Sequence, residues 1–302
     1  MTRFCRACCP STADPLRIPA NLDWLRGLDD GRAWLESLPG LADECVARWM
    51  LDLGDPYPES FVSLVVPATT AGGGDAVLKI QWPHRESEQE AAALRLWDGD
   101  GAVRLLEHDA DRHALLLERC SPGHHLATAG CDAALDVFVD LLPRLWKPAG
   151  PSFTSLAEEA ARWADELPGT WERAGRPFER RLVDRAVRSL QALPGGDDPV
   201  LLHQDLHADN VLAAMREPWL AIDPKPLAGD RAFSAAPIVR SYELGHSPEL
   251  VEHRLRRLCG ELGLDEERAR EWAFGQTLAW AFQDDEVLPN HVETARWLVE
   301  GR

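Results

Sequence analysis

The chain has 302 residues, of which 45% are hydrophobic and 27% are charged, a composition typical of a globular protein with a sizeable core. Its 50 acidic and 32 basic side chains give a formal net charge of −18, which argues against nucleic acid or an anionic membrane as a partner and favours cationic ligands. No apolar run approaches the roughly 20 residues needed to cross a bilayer, and the first ten residues lack the apolar core of a signal peptide. We therefore expect a cytoplasmic protein.

The first part of the chain has the pattern of a helix followed by strands. Apolar residues recur at spacings of three and four over residues 29–50, which predicts a helix. Short β-type runs at residues 61–66 and 76–80 flank Gly72-Gly-Gly74, which predicts a hairpin turn. A helix and two further strands are then predicted over residues 86–97, 103–107 and 114–118.

The second part of the chain is mostly helical in pattern. The predicted helices span residues 131–146, 155–167, 177–192, 248–262 and 265–283. One non-helical segment, residues 200–230, interrupts them and contains strand-like pieces around residues 200–202, 211–212 and 219–222. This order predicts an α+β protein whose polar motifs are concentrated in a strand-and-loop region.

The densest polar motif lies in that region. Asp205 and Asn210, in His203-Gln-Asp-Leu-His-Ala-Asp-Asn210, have the D-x-x-x-x-N spacing of the protein-kinase catalytic loop, where the aspartate accepts the proton of the substrate hydroxyl and the asparagine coordinates magnesium. Asp223 follows a predicted strand and suits the carboxylate that holds magnesium at the nucleotide phosphates. We predict that Asp205 is catalytic and that Asn210 and Asp223 bind the metal.

A kinase also requires a lysine on an upstream strand and a glutamate on the helix that follows. Lys79, in Val77-Leu-Lys-Ile80, is the candidate for holding the α- and β-phosphates of ATP. Glu86, Glu88 and Glu90 are candidates for its partner, and we favour Glu90 because it directly precedes an apolar stretch. The order of these residues along the chain supports the kinase interpretation more than any of them does alone.

The segment from His203 to Leu212, together with Ile222-Asp-Pro224, resembles the signature of aminoglycoside phosphotransferases and related antibiotic kinases. More specifically, the chain is similar to streptomycin 6-phosphotransferases and hydroxyurea phosphotransferase-like proteins, in strings such as Ser63-Leu-Val-Val-Pro67 and Leu115-Leu-Leu-Glu-Arg119. The resemblance extends over most of the chain from about residue 30.

The resemblance implies a bilobal, protein-kinase-like α+β fold, with a β-rich N-lobe over residues 1–120 and a helical C-lobe over residues 121–302. It also implies that adenine binds a hinge beginning at Glu118, and that the loop ending at Ser63 contacts the phosphates. The implied activity is ATP- and Mg²⁺-dependent phosphorylation of a hydroxyl on an aminoglycoside-type, streptomycin-like antibiotic, which confers resistance. We expect the enzyme to be a monomer.

The chain departs from the family signature at two positions. Gln204 stands where glycine is common between the histidine and the aspartate, and Ser234 stands where the family tends to carry an aspartate. If that aspartate supports the catalytic loop, we expect Ser234 to support it less strongly.

A cationic substrate requires carboxylates close to the catalytic loop. Residues 271–300 contain six acidic residues and one basic residue. Asp284 and Asp285, which follow the apolar face of a predicted helix, are our predicted substrate ligands.

Other interpretations of the motifs remain open. His203, Asp205, His207 and Asp209 alternate along the chain and could bind zinc or a metal pair in a hydrolase. A nucleotide-binding pseudokinase, or a kinase of the same fold for hydroxyurea, choline, homoserine or an amino sugar, are further alternatives. The odd number of cysteines, seven, does not suggest a disulfide framework, and we expect the cluster Cys5, Cys8 and Cys9 to be reduced thiols rather than a metal site.

Overall fold

The computed structural model describes residues 16–193, 198–283 and 286–300. The chain divides into two compact units, one formed by residues 1–82 and 107–116 and the other by residues 83–106 and 117–302. The two-lobe division at residue 120 stays a prediction. Within the described parts of the chain, no helix is both long enough and apolar enough to cross a membrane.

The first unit combines one long helix, α1 (Asp29–Trp49), with most of a five-stranded sheet of order β1-β2-β3-β5-β4. The strands are β1 (Leu51–Leu53), β2 (Ser63–Thr70), β3 (Asp75–Gln81), β4 (Leu105–Asp109) and β5 (Ala114–Glu118). The β2–β3 pair is antiparallel, and Gly73, at φ 79°, lies in its turn. Because glycine has no Cβ, it adopts this left-handed conformation without strain. The predicted hairpin turn is confirmed.

The core of the first unit forms where α1 packs on the sheet. Leu35 and Leu38 of α1 are almost wholly buried in one cluster with Leu64 of β2 and Leu78 and Ile80 of β3. Burial of aliphatic side chains of this size contributes about 1.5–3 kcal/mol each relative to exposure. The packing holds β3, and with it Lys79, in a fixed register against β2.

Within its described residues, the second unit contains the remaining helices and three small two-stranded ladders. Its helices are α2 (Glu90–Trp97), α3 (Cys131–Leu145), α4 (Leu156–Arg173), α5 (Arg180–Ala192), α6 (Ala235–Val239), α7 (Pro248–Leu262), α8 (Glu266–Ala279) and α9 (Pro289–Glu300). Its strands are β6 (Val200–Leu202), β7 (Val211–Ala213), β8 (Trp219–Ala221), β9 (Leu227–Gly229), β10 (Phe282–Gln283) and β11 (Glu286–Val287). The pairs β6–β9, β7–β8 and β10–β11 are all antiparallel.

Several elements differ from the sequence-based prediction. The helix predicted over 86–97 is divided, because the Ser87 hydroxyl bonds back to the carbonyl of His84 in a separate 3-10 turn and α2 begins only at Glu90. Helix α4 continues through Pro168 to Arg173, whereas the prediction ended at residue 167. The strand β1 and the helices α6 and α9 were not predicted.

Candidate active site

The β7–β8 hairpin brings the two halves of the predicted motif together. Val211 pairs with Ala221, and the N–H of Ile222 donates to the carbonyl of Asn210 at 2.9 Å. Asn210 and Asp223 therefore lie next to each other at the base of the hairpin, although 13 positions separate them in the sequence. Asp223 has a positive φ of 55°, a conformation that is uncommon for a non-glycine residue and frequent at functional sites.

The start of the predicted catalytic loop is fixed by one buried hydrogen bond and one ring contact. His203 is buried, its ring stacks on Trp97 at 6.1 Å, and its Nε2 lies 2.9 Å from the carbonyl of Ile222. Burial lowers the pKa of His203 to about 4, despite the opposing charges of Asp205 and Asp223. The ring is consequently neutral at physiological pH, with Nε2 as the donor.

Gln204 adopts a left-handed φ of 66°, which explains why glycine is common at this position of the signature. The carbonyl of Gln204 accepts a hydrogen bond from Nε2 of Gln276 on α8, at 3.1 Å, and both side chains are buried. Ser234 is also buried, and its hydroxyl accepts a hydrogen bond from the indole N–H of Trp146 at 2.9 Å. In this chain the loop backbone is thus tied to α8.

Asp205 is held by two cations. Its Oδ2 lies 2.5 Å from Nζ of Lys225 and its Oδ1 lies 2.8 Å from Nη2 of Arg240, while only 11% of its side chain is exposed. Burial on its own would raise the pKa of Asp205, but the charges of Lys225, His207 and Arg240 outweigh that effect and lower it to about 2. Asp205 is therefore an ionised carboxylate with a fixed orientation, which can accept a hydrogen bond from a hydroxyl group and orient it.

An aromatic ring supports both cations. The guanidinium carbon of Arg240 lies 4.3 Å from the ring centroid of Trp280, and Nζ of Lys225 lies 5.8 Å from it, distances at which a π face attracts a cation. None of these three residues was predicted from sequence. Lys225 could have been found from its place two residues after Asp223, but Arg240 and Trp280 belong to no motif.

A second ion pair braces the middle of the catalytic loop. Nδ1 of His207 lies 3.1 Å from Oε1 of Glu243, which also accepts the N–H of Ala208 at 2.9 Å. Burial opposes both charges, yet the pairing raises the pKa of His207 and lowers that of Glu243 to about 2. The pair restrains the loop between Asp205 and Asn210, and the pairing favours the protonated form of His207.

The residues predicted to bind magnesium have suitable ligand atoms. The amide nitrogen of Asn210 donates to the carbonyl of Asp205 at 2.9 Å, which leaves its amide oxygen available, and Asp223 directly follows Ile222, whose backbone pairs with Asn210 across the hairpin. A carboxylate and an amide oxygen are the hard ligands that Mg²⁺ prefers. The donor set fits the ion.

The four residues of the metallohydrolase alternative do not form one group. Among the residues that the structure describes, His207 and Asp209 converge with Glu243, with ligand atoms within 4.8 Å of one another. His203 and Asp205 are not part of this group, since His203 bonds to a backbone carbonyl and Asp205 to two cations.

Comparison with known proteins decides the family. A model of the aminoglycoside/hydroxyurea antibiotic resistance kinases matches residues 48–287. The chain belongs to this family. Among its relatives, a hydroxyurea phosphotransferase from Kitasatospora aureofaciens is 41% identical over 299 residues, covering 95% of this chain and 87% of the relative. A streptomycin 6-kinase from Streptomyces griseus is 36% identical over 305 residues, covering 96% and 99%.

The solved structures confirm the predicted fold class. Choline kinase LicA from Streptococcus pneumoniae superposes with a TM-score of 0.63 at 14% identity, over 87% of this chain and 99% of that protein. At this identity the likeness shows the protein-kinase-like fold and nothing finer. The family assignment confirms that the protein is a kinase and is incompatible with the hydrolase alternative.

The predicted nucleotide-binding residues of this kinase have structured surroundings within their own units. In the first unit, Lys79 is buried on β3, and the buried hydroxyl of Ser63 lies 2.9 Å from that of Ser60. In the second unit, Glu90 is buried at the first position of α2. The roles of these residues stay predictions.

Glu118, the predicted hinge residue, has its carboxylate engaged within the second unit. It pairs with the guanidinium of Arg216 at 2.8 and 2.9 Å and accepts the N–H of Arg104 at 3.0 Å. Burial would raise the pKa of Glu118, but these bonds lower it. The side chain thus has a structural role, and any contact with adenine would come from the backbone.

The predicted substrate ligands Asp284 and Asp285 lie outside the described residues, as do Cys5, Cys8 and Cys9.

Proposed function

We propose that this protein is an antibiotic kinase that uses ATP and Mg²⁺ to phosphorylate a hydroxyl group of a small cationic acceptor, in particular a streptomycin-like aminoglycoside. The observation that carries the proposal is the state of Asp205. Its carboxylate is mostly buried, ionised and fixed by two cations, at the head of a loop whose other end carries Asn210 beside Asp223. The identity of 36% to a streptomycin 6-kinase supports the choice of acceptor.

The chemistry assigned to the site is one phosphoryl transfer. The acceptor oxygen attacks the γ-phosphorus of ATP, the bond from that phosphorus to the β,γ-bridging oxygen breaks, and ADP leaves. Asp205 orients the acceptor hydroxyl and takes up its proton. Lys225, which touches Asp205, keeps the carboxylate ionised and offers positive charge to the transferring group.

Asn210 and Asp223 would hold Mg²⁺, which neutralises charge on the nucleotide phosphates when it is bound. Lys79 would hold the α- and β-phosphates, and Glu90 would fix Lys79. The hinge at Glu118 and the loop ending at Ser63 would contact adenine and the phosphates.

Hydroxyurea is the second candidate acceptor, because a hydroxyurea phosphotransferase is 41% identical to this chain. The two acceptors differ in charge, since streptomycin carries guanidinium groups and hydroxyurea is neutral. A kinase specific for the neutral acceptor would need no carboxylate in its acceptor site.

The test is an ADP-release assay with ATP and Mg²⁺ against streptomycin, hydroxyurea and choline, with mass spectrometry of the product. We expect phosphorylated streptomycin, and an Asp205→Asn variant that stays folded and loses on the order of 10²-fold or more in kcat. The proposal fails if no acceptor stimulates ADP release, or if Asp205→Asn retains the kcat of the wild type.

A further inference from the structure

The second unit contains an open pocket of about 330 Å³ next to Asp205. Lys225 forms part of its wall and also touches the carboxylate of Asp205, so a ligand in the pocket lies one side chain away from the proposed site of proton transfer. The volume is at the lower end of the range for ligand sites, about 300–1,000 Å³. It suits a single cationic ring or small group of an acceptor rather than an entire aminoglycoside.

Aromatic side chains form the apolar part of this pocket. Trp163, Trp280 and Phe282 line it, and the rings of Trp163 and Trp280 meet edge to face at a centroid distance of 6.4 Å. Trp163 is nearly fully buried, and within the described residues its indole N–H has no hydrogen-bond acceptor. Trp280 and Phe282, in contrast, are partly exposed and can contact a ligand in the pocket.

The basic residues of the pocket are already neutralised. Lys225 pairs with Asp205, and Arg162 pairs with Glu166 at 2.6 Å and also with Glu159. The pocket therefore does not offer a free cation to an anionic ligand.

Glu86 is the charged group of the pocket that is not engaged. It is half-buried, it lines the pocket, and its carboxylate makes no hydrogen bond or ion pair with any residue in 16–193, 198–283 or 286–300. Glu86 thus shares the pocket with Lys225, the group that contacts Asp205.

We propose that this pocket binds the cationic group of the acceptor, an ammonium or a guanidinium, with Glu86 as its counter-ion and the partly exposed rings of Trp280 and Phe282 as its apolar walls. A guanidinium makes charge-assisted hydrogen bonds to a carboxylate and stacks on aromatic faces. The sequence made Glu86 a candidate partner for Lys79, whereas its place in the pocket lining suits it to bind the acceptor. The inference rests on the proposed function, and it identifies Glu86 as the residue that makes the enzyme prefer cationic over neutral acceptors.

The experiment compares Glu86→Gln with Glu88→Gln in the full chain. Glu88 is exposed, lies two residues away and does not line the pocket, so it is the matched control for charge. Thermal unfolding establishes that both variants fold. Calorimetry then measures the Kd for streptomycin, as the cationic probe, and for hydroxyurea, as the neutral one.

We expect Glu86→Gln to raise the Kd for streptomycin by about 10- to 100-fold, the usual effect of losing a hydrogen bond to a charged group. The increase should diminish in high salt, and Glu88→Gln should bind like the wild type. An unchanged Kd in Glu86→Gln, an equal loss of hydroxyurea binding, or a wild type that does not bind streptomycin would overturn the proposal.

The experiment distinguishes failure of the cation pocket from failure of the proposed kinase function. If the wild type phosphorylates hydroxyurea and does not bind streptomycin, the kinase function stands and the cation pocket is wrong. If Glu86→Gln weakens streptomycin binding as expected but no acceptor is phosphorylated, the pocket stands and the proposed function is wrong.

Discussion

Substitution of Lys225 by methionine tests whether the charge at this position matters for the chemistry. Methionine nearly preserves the volume of the lysine stem but removes the ammonium group, which lies 2.5 Å from Asp205. Only 19% of the Lys225 side chain and 11% of the Asp205 side chain are exposed, so water can replace the lost partner only in part.

Removing one partner of a buried ion pair typically costs about 3–5 kcal/mol. Arg240 remains on the other oxygen of Asp205, at 2.8 Å, so we expect Lys225→Met to lower the free energy of unfolding by about 2–3 kcal/mol. The effect on kcat should be larger than stability alone predicts, because in the proposed mechanism Lys225 offers positive charge to the transferring phosphoryl group. Losses of about 10²–10³-fold are typical when one stabilising donor is removed from a transition state.

Urea unfolding and the ADP-release assay measure the two effects separately. Lys147 provides the control. It is one of three lysines in the chain, and its ion pair with Asp100 is more exposed, because 32% of the Lys147 side chain and 43% of the Asp100 side chain are accessible to water. Lys147→Met should change stability by less than about 1 kcal/mol and leave kcat unaltered. Equal kcat values for the two variants would refute the role given to Lys225.

Three further predictions concern the metal, the nucleotide and pH. Asp223→Ala should abolish phosphoryl transfer and weaken Mg²⁺-dependent nucleotide binding, whereas an unaltered Mg²⁺ titration would contradict its role as a ligand. Lys79→Ala should raise the KM for ATP, lower kcat or both, and wild-type kinetics would remove Lys79 from the site. The pairing with Glu243 raises the pKa of His207, so protonated His207 stabilises the folded state. This contribution to the free energy of unfolding is complete below about pH 6.5 and is lost as pH rises through the folded-state pKa of His207. Urea unfolding between pH 6 and pH 9 should therefore show a smaller pH-dependent loss in Glu243→Gln than in the wild type, and parallel curves would refute the pairing.

The proposed metal ligands could be predicted from the sequence because they lie close together along the chain, 13 positions apart. Asn210 was chosen from its spacing to Asp205 and Asp223 from the strand-like pattern before it, and the two lie on either side of one short hairpin. Motif spacing then distinguished Asp205 from the other acidic residues of the chain. Periodicity likewise predicted the β-rich beginning and the helical remainder.

The partners of Asp205 could not be predicted in this way. Arg240 follows a helix of five residues, too short for a periodic pattern, and it meets Asp205 across 35 positions of sequence. Trp280 is brought beneath both cations by the packing of α8 and not by any motif. Such contacts arise from tertiary structure, about which a single sequence contains little direct information.

The helix α9 was missed for a different reason. Its segment was interpreted through its acidic residues, as a surface for the substrate, while its apolar residues Val292, Ala295 and Leu298 are buried on one face. The three-residue spacing of these positions is the signal that could have identified the helix. Whether Asp284 and Asp285, which precede it, hold the substrate stays a prediction.

The two departures from the family signature have different physical consequences. At Gln204 the backbone is left-handed, which costs a residue with a Cβ of order 1 kcal/mol relative to glycine. The hydrogen bond from Gln276 to the carbonyl of Gln204 lies in the buried interior and offsets that strain. The hydroxyl of Ser234 bonds to Trp146 and not to the loop. The loop is bonded instead to α8, through the hydrogen bond from Gln276 to the carbonyl of Gln204. Because the loop is restrained at Gln204, directly before Asp205, a serine at position 234 is compatible with an ordered Asp205.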